Sequence, residues 1–155
     1  PRHLCSSAAT LYTPGDPDSD DPVERLSSRP DAFIPCYGEV TLNDYTRPDS
    51  WMDSMCRVVD DPYQLPNFYI TPNVTPDTPT AFIWHTADDQ VVSVQDSLAL
   101  GAALAKNGVP FEMHIFPHGP HGLGLAENAP DVAQWTGLCR RWLRGLGYAQ
   151  QLQTK

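Results

Sequence analysis

Two clusters of side chains in the second half of the chain have the types and spacing for proton-transfer chemistry. Asp88 and Asp89 lie side by side in "HTADDQVVS", and His118 and His121 fall in "IFPHGPHGLGLA", among glycines and prolines that serve neither a helix face nor a sheet face. A carboxylate facing an imidazole is the pairing that nucleophilic acyl transfer requires. The carboxylate fixes the imidazole tautomer and stabilises the imidazolium, while the imidazole takes the nucleophile's proton and returns it to the leaving group.

For the clusters to meet, the chain has to deliver both loops to one end of one framework. "TAFIWHT" (residues 80–86) is a nearly continuous apolar run of strand length, the pattern of a strand covered on both faces in a parallel sheet, and it stops at "ADDQVV". From residue 94 to 107, Leu98, Ala102, Leu104 and Ala105 recur at helical spacing, and Gly108 follows as a C-terminal cap. "PFEMHIFP" reads as a second strand, and a last helix over about residues 130–146 carries the apolar stripe Val132, Trp135, Leu138, Cys139 and Trp142. Strand, helix, strand, helix with short loops predicts an α/β fold with a parallel sheet and right-handed crossovers. Working residues in such sheets gather at the carboxyl ends of the strands, where both clusters fall. If the two strands are neighbours, about 4.8 Å apart, a carboxylate on one loop can come within hydrogen-bond reach of an imidazole on the next.

The upstream half is less regular. Residues 4–12 form a short apolar stretch ended by "TPGDPDSDDP", so residues 13–30 read as a solvated loop. Residues 31–42, "DAFIPCYGEVTL", are a strand candidate opened by Pro30, with Pro35 and Gly38 against it. Residues 43–80 hold one short helix, in "SWMDSMCRVV", and otherwise read as a lid-like or binding insertion. Its Trp51, Tyr63, Phe68 and Tyr69 suit stacking on a sugar or an aromatic acyl group, and equally suit packing of a lid on the core.

Composition narrows the partners. At 155 residues with 41% apolar content the chain supports one core, and 81–148 is the part bearing the acid and base. A net charge of -9 with ten Lys and Arg offers no basic stripe for phosphates, which argues against nucleic acid. No apolar run approaches the roughly 20 residues that cross a bilayer, and "PRHLCSSAAT" lacks the layout of a signal peptide, so a soluble, cytoplasmic protein is expected. Cys5, Cys36, Cys56 and Cys139 are widely spaced and read as free thiols in a reducing compartment.

"WHTADDQVVSVQDSLALGAALAKNGVPFEMHIFPHGPHGLGLA" closely resembles the C-terminal segment of α/β-hydrolases, specifically the acetyl-xylan-esterase-like and feruloyl-esterase-like carbohydrate esterases. In that group the acid lies in a D-x-x-V-[PS] pattern, matched by Asp89, Gln90, Val91, Val92 and Ser93. The base lies in G-x-H-G, matched by Gly119, Pro120, His121 and Gly122. The resemblance implies Asp89 as acid and His121 as base of a Ser, Asp, His order, with Gly119 and Gly122 allowing the loop's path. "HL" at His3 and Leu4 followed by "CSSAATLY" resembles the helix after the nucleophile elbow G-x-S-A-G-G-H-L, with Pro1 and Arg2 where two glycines would stand. This places the nucleophile serine upstream of Pro1. The chain then corresponds to the C-terminal portion of the domain and is expected to be inactive alone.

The implied activity is carboxylic-ester hydrolysis on small-molecule or oligosaccharide esters, with acetyl groups on xylan-derived or related oligosaccharides as the expected substrate, without a cofactor. The rivals are a non-catalytic truncated or degenerate hydrolase module, which a missing serine favours, and a serine peptidase on the same scaffold. Asp88 competes with Asp89 for the acid role, and the alternative for Asp88 is a solvated or loop-capping residue. His114, His118 and His121 suggest zinc ligands only weakly, because His114 lies within a strand and no carboxylate or Cys cluster flanks them. His85 and His114 read as structural, at polar positions near strand ends. Ser6 and Ser7 fall in helix interior, outside any G-x-S-x-G. A partner is also expected: the N-terminal half of the hydrolase domain, or a second copy of the chain, covering a sheet edge at the residue 31 strand.

Overall fold

The computed structural model describes residues 2–38 and 69–148. Most of the proposed insertion, including Trp51, Tyr63 and Phe68, lies outside the described residues.

The sheet is built around its middle strand. Helix α1 (Arg2–Thr10) precedes the short strand β1 (Ala32–Phe33), and a single 3-10 turn at Thr71–Asn73 leads to β2 (Thr80–Thr86). Helix α2 (Val94–Lys106), β3 (Phe111–Phe116) and helix α3 (Pro130–Gly145) follow. The three strands are parallel in the order β1-β2-β3. Ala81 lies opposite Phe33 and Phe111, and Thr86 opposite Phe116.

Every β2 residue from Ala81 to Thr86 is buried, because alternate side chains enter two separate cores. Ala81 and Ile83 pack with Ala9, Phe33, Ile70, Leu100, Leu104 and Val109. Phe82 and Trp84 point the other way, into a core closed by Val132, Cys139 and the half-buried Trp135, Leu138 and Trp142 of α3. The Trp84 and Trp135 rings stack at 5.0 Å with an 18° interplanar angle. The α3 stripe read from the sequence is therefore the face that packs.

The α2 stripe is a correction. Leu98, Ala102 and Ala105 are exposed, and the buried face comprises Asp96, Ser97, Leu100, Gly101 and Leu104. Both sets repeat at helical spacing, so periodicity alone left two candidate faces. Gly101 belongs to the buried face, and a Cβ there would meet the terminal methyl of Met113 of β3, so the helix lies close on the sheet at this point. Ser93 caps α2 by accepting the Gln95 N–H, Asp96 and Lys106 complement the helix dipole, and Gly108 leaves the helix at φ +70°.

The strand expected over residues 31–42 is also corrected. Among the described residues its ladder stops at Phe33, and only an isolated bridge joins Cys36 to Trp84. Pro35 has no N–H to offer a ladder, and Tyr37 takes φ +39°, which no strand accommodates. Tyr37 still donates its N–H to Trp84 O at 2.9 Å, so the chain stays tied to β2 while bending over its end.

Leu104, fully buried between α2 and β2, tests the first core. Leu104→Ala is expected to lower unfolding free energy by about 2–5 kcal/mol. The check is a urea titration, in which the midpoint falls with unchanged slope.

Candidate active site

Asp89 is set by the turn that ends β2. Its N–H reaches back to Thr86 O at 3.4 Å, and its Oδ1 accepts the backbone N–H groups of Val91 at 2.8 Å and Val92 at 3.0 Å. This side-chain-to-backbone closure is what Asp does well in turns. It leaves Oδ2 aimed across the strand ends, where His121 Nδ1 lies 2.7 Å away. Asp89 is 2% exposed. A carboxylate so buried has to be hydrogen-bonded, and this one is bonded on both oxygens.

His121 comes from the loop after β3, and that loop is fastened at several points. Ala87 N–H bonds Phe116 O at 2.7 Å. Gly119 is held on both sides of its backbone, its N–H donated to Asp88 Oδ1 and its carbonyl accepting the Thr86 hydroxyl, each at 2.8 Å. A Cβ on Gly119 would lie 2.8 Å from both Thr86 Cγ2 and Leu123 Cδ1, so only glycine fits this clamp. Gly122 follows at φ +84°. Farther along, Gly124 donates its N–H to the Tyr37 hydroxyl at 3.0 Å and accepts the Trp135 indole N–H at 3.1 Å. The Tyr37 ring meets the His121 ring edge-on at 5.4 Å.

An ionised carboxylate only accepts hydrogen bonds, so the proton between the pair sits on His121 Nδ1. In the neutral imidazole that leaves the lone pair on Nε2, the arrangement of a general base. The side chain is 18% exposed, enough to meet a reactant while its partner stays buried.

The two acidic residues separate cleanly. Asp88 stands at the surface and bridges the loops, accepting Gly119 N–H and contacting His118 Nδ1 at 3.0 Å. These contacts, the His118 bond foremost, hold its carboxyl below the ordinary value. His118 is 85% exposed. Asp88 therefore latches the histidine loop to the aspartate loop, beyond a simple loop cap. His114 contacts Glu112 at 2.7 Å and packs by Phe82, away from the pair. Ser6 and Ser7 lie within α1, where Ser7 Oγ donates to His3 O. Among the described residues no group of three or more His, Cys, Asp or Glu side chains is arranged to hold a metal ion. None of the helices among them is long and apolar enough to cross a membrane.

Two residues at the site escaped the sequence reading. Tyr37 was hidden in what looked like a strand. His85 looked like a structural polar position, yet its Nε2 lies 3.3 Å from Asp89 Oδ2 and its Nδ1 lies 2.7 Å from Ser97 Oγ. The signal was the four-residue step from His85 to Asp89 around a turn.

Burial raises the Asp89 carboxyl, but the Val92 and Val91 N–H groups and His121 outweigh it and hold the group below its ordinary value. Burial lowers the His85 imidazole, against the upward pull of Asp89 and Val92 O. Both groups thus bind protons less readily folded than unfolded, so both make stability rise with pH. The His85 contribution starts to be lost as pH drops below the unfolded value of about 6.5, and that of Asp89 below about 4. The thermal midpoint is expected to fall between pH 7 and pH 5, and His85→Gln to flatten that interval. Calorimetry across this range checks it, and identical slopes in both proteins would contradict it.

Comparison with known proteins agrees with this architecture. The model of the prolyl oligopeptidase family matches residues 40–143. Endo-1,4-beta-xylanase B of Butyrivibrio fibrisolvens is 33% identical over 135 residues, covering 87% of this chain and 21% of that protein. The acetyl ester-xyloside bifunctional hydrolase of Caldicellulosiruptor lactoaceticus is 40% identical with a TM-score of 0.85, over 96% of this chain and 54% of that one. A carboxylesterase of Lactobacillus plantarum, 23% identical, shares the fold at a TM-score of 0.74, over 96% of this chain and 56% of that one. The chain thus spans about half the length of these structures and a fifth of the xylanase. The parallel sheet with its flanking helices is the C-terminal part of an α/β-hydrolase fold, and the chain belongs to the prolyl oligopeptidase family.

Proposed function

We propose that this chain carries the acid and the base of a serine carboxylic-ester hydrolase, with Asp89 orienting His121. The observation that supports it most is the 2.7 Å contact between His121 Nδ1 and the buried Asp89 Oδ2, made by loops at the carboxyl ends of adjacent parallel strands. In this reading the nucleophile is a serine upstream of Pro1. His121 Nε2 takes the serine proton as Oγ attacks the acyl carbon, then returns it to the departing alcohol. Water attacks the acyl-enzyme with His121 again as base, releasing the acid and restoring the serine. In this reading no cofactor enters these steps, and the chain alone is expected to be inactive.

The substrate we infer is an acetyl ester on a xylan-derived or related oligosaccharide. Its support is the 40% identity to a hydrolase named for acetyl esters and xylosides, together with the xylanase relative. The family's name favours a second reading, a peptidase using the same acid and base. In either case the part of the 43–80 insertion before Ile70 is proposed to supply a lid over the substrate, since Ile70 and Val74 are core residues, and the upstream half of the domain or a second copy to cover the β1 edge. A cytoplasmic setting fits the free thiols of Cys5 and Cys139.

The full-length hydrolase carrying this segment, assayed with chromogenic acetyl-xyloside and prolyl-peptide substrates, separates the readings. Ester turnover without peptide turnover is expected. His121→Ala should lower kcat by about a hundred-fold or more with the protein still folded, and retention of over roughly a tenth of kcat would contradict a general-base role.

A further inference from the structure

His85 is fully buried, belongs to none of the steps above, and still contacts the acid directly. It lies on the face of β2 that carries Ala81 and Ile83, so its ring turns toward α2. There Ser97, also buried, meets Nδ1 at 2.7 Å. Nε2 lies 3.3 Å from two oxygens, Asp89 Oδ2 and the Val92 carbonyl. Both are acceptors, so Nε2 bears the proton, shared between them. With Nε2 protonated and the ring neutral, Nδ1 presents a lone pair and the Ser97 hydroxyl donates to it. The polarity of the chain is then fixed: Ser97 donates to His85, His85 donates to Asp89, and His121 donates to Asp89 from the other side.

We propose that His85, with its tautomer set by Ser97, is a positioning residue for the Asp89–His121 pair, donating a second imidazole hydrogen bond to the same carboxylate oxygen that receives His121. This rests on the reading of Asp89 and His121 as acid and base. The consequence is geometric and electronic. Oδ1 is fixed by the Val91 and Val92 N–H groups, and a donor on Oδ2 from the β2 side stops the carboxyl plane from rocking about its remaining torsion. That donor also makes Oδ2 less basic, so the proton stays on His121 Nδ1 when His121 becomes imidazolium. A neutral His85 achieves this without placing a second positive charge beside the imidazolium. The low proton affinity that burial gives His85 keeps it in that neutral form.

Two measurements test the proposal. In the full-length hydrolase with 15N-labelled histidine, long-range imidazole 1H–15N correlation spectra at pH 7 should show His85 protonated at Nε2 and His121 protonated at Nδ1, opposite tautomers. Ser97→Ala should shift the His85 Nδ1 resonance toward that of an unbonded lone pair. His85 protonated at Nδ1 would overturn the proposal, since it could then donate only to Ser97. Kinetically, His85→Leu should lower kcat for the acetyl ester about ten- to a hundred-fold with KM within about two-fold, the scale of a misplaced catalytic group. His85→Gln, which keeps a donor near the Nε2 position, should recover most of that loss. Equal kcat losses in the two variants, or an unchanged kcat with only a lower melting temperature, would overturn it. If the full-length protein cleaves no ester at all, the functional reading fails, while the tautomer spectra still test the Ser97, His85, Asp89 arrangement.

Discussion

The arrangement depends on one requirement, that a carboxylate almost wholly removed from water must have its oxygens hydrogen-bonded. Among the described residues Asp89 meets it with two backbone N–H groups of its own turn and the His121 imidazole, with the proposed His85 donor beside them. Each donor constrains a separate element. The Val91 and Val92 N–H groups shape the turn into α2, His85 ties the acid to β2, and His121 ties it to the loop after β3. Removing Asp89 would leave several buried donors facing one another, so the residue organises the strand ends.

Strand β2 makes this possible by serving two cores at once. Phe82 and Trp84 fill the α3 side, while Ala81 and Ile83 fill the α2 side. The same alternation sends His85 toward Ser97 and Thr86 toward Gly119. The polar groups at the strand's end thus inherit their directions from the apolar packing below. Around the loop, Asp88 and Thr86 grip Gly119 while Tyr37 and Trp135 grip Gly124, so His121 is carried on a segment held at both ends.

Much of this was legible because burial writes itself into apolar runs. "TAFIWHT" coincides with β2, and the stripe of α3 names the face that packs, since a strand covered on both sides and a helix covered on one leave distinct patterns. The resemblance carried by D-x-x-V-S and G-x-H-G pointed to the two residues that lie 2.7 Å apart, where spacing alone left Asp88 and His118 in contention. What was illegible has physical reasons too. On α2 two helical stripes compete, and the buried one includes Gly101, which meets Met113 from the sheet, a contact 12 residues away that periodicity does not show. Residues 31–42 have strand composition, but Tyr37 takes a positive φ and its hydroxyl accepts the Gly124 N–H from 87 residues away, a long-range contact that local composition does not reveal. His85 was passed over because a histidine at a strand end is ordinary by itself. Only the crossing from Ser97 to Asp89 gives it meaning.

The account's central claim is that Asp89 holds His121 so that its Nε2 faces a serine nucleophile. The measurement closest to that claim is a crystal structure of the full-length hydrolase trapped with an alkyl fluorophosphonate. The account predicts a phosphonylated serine upstream of residue 1, its Oγ within about 3.2 Å of His121 Nε2, with Asp89 Oδ2 still bound to Nδ1. Adduct formation on Ser6 or Ser7, or an adducted serine remote from an unchanged Asp89–His121 pair, would contradict it.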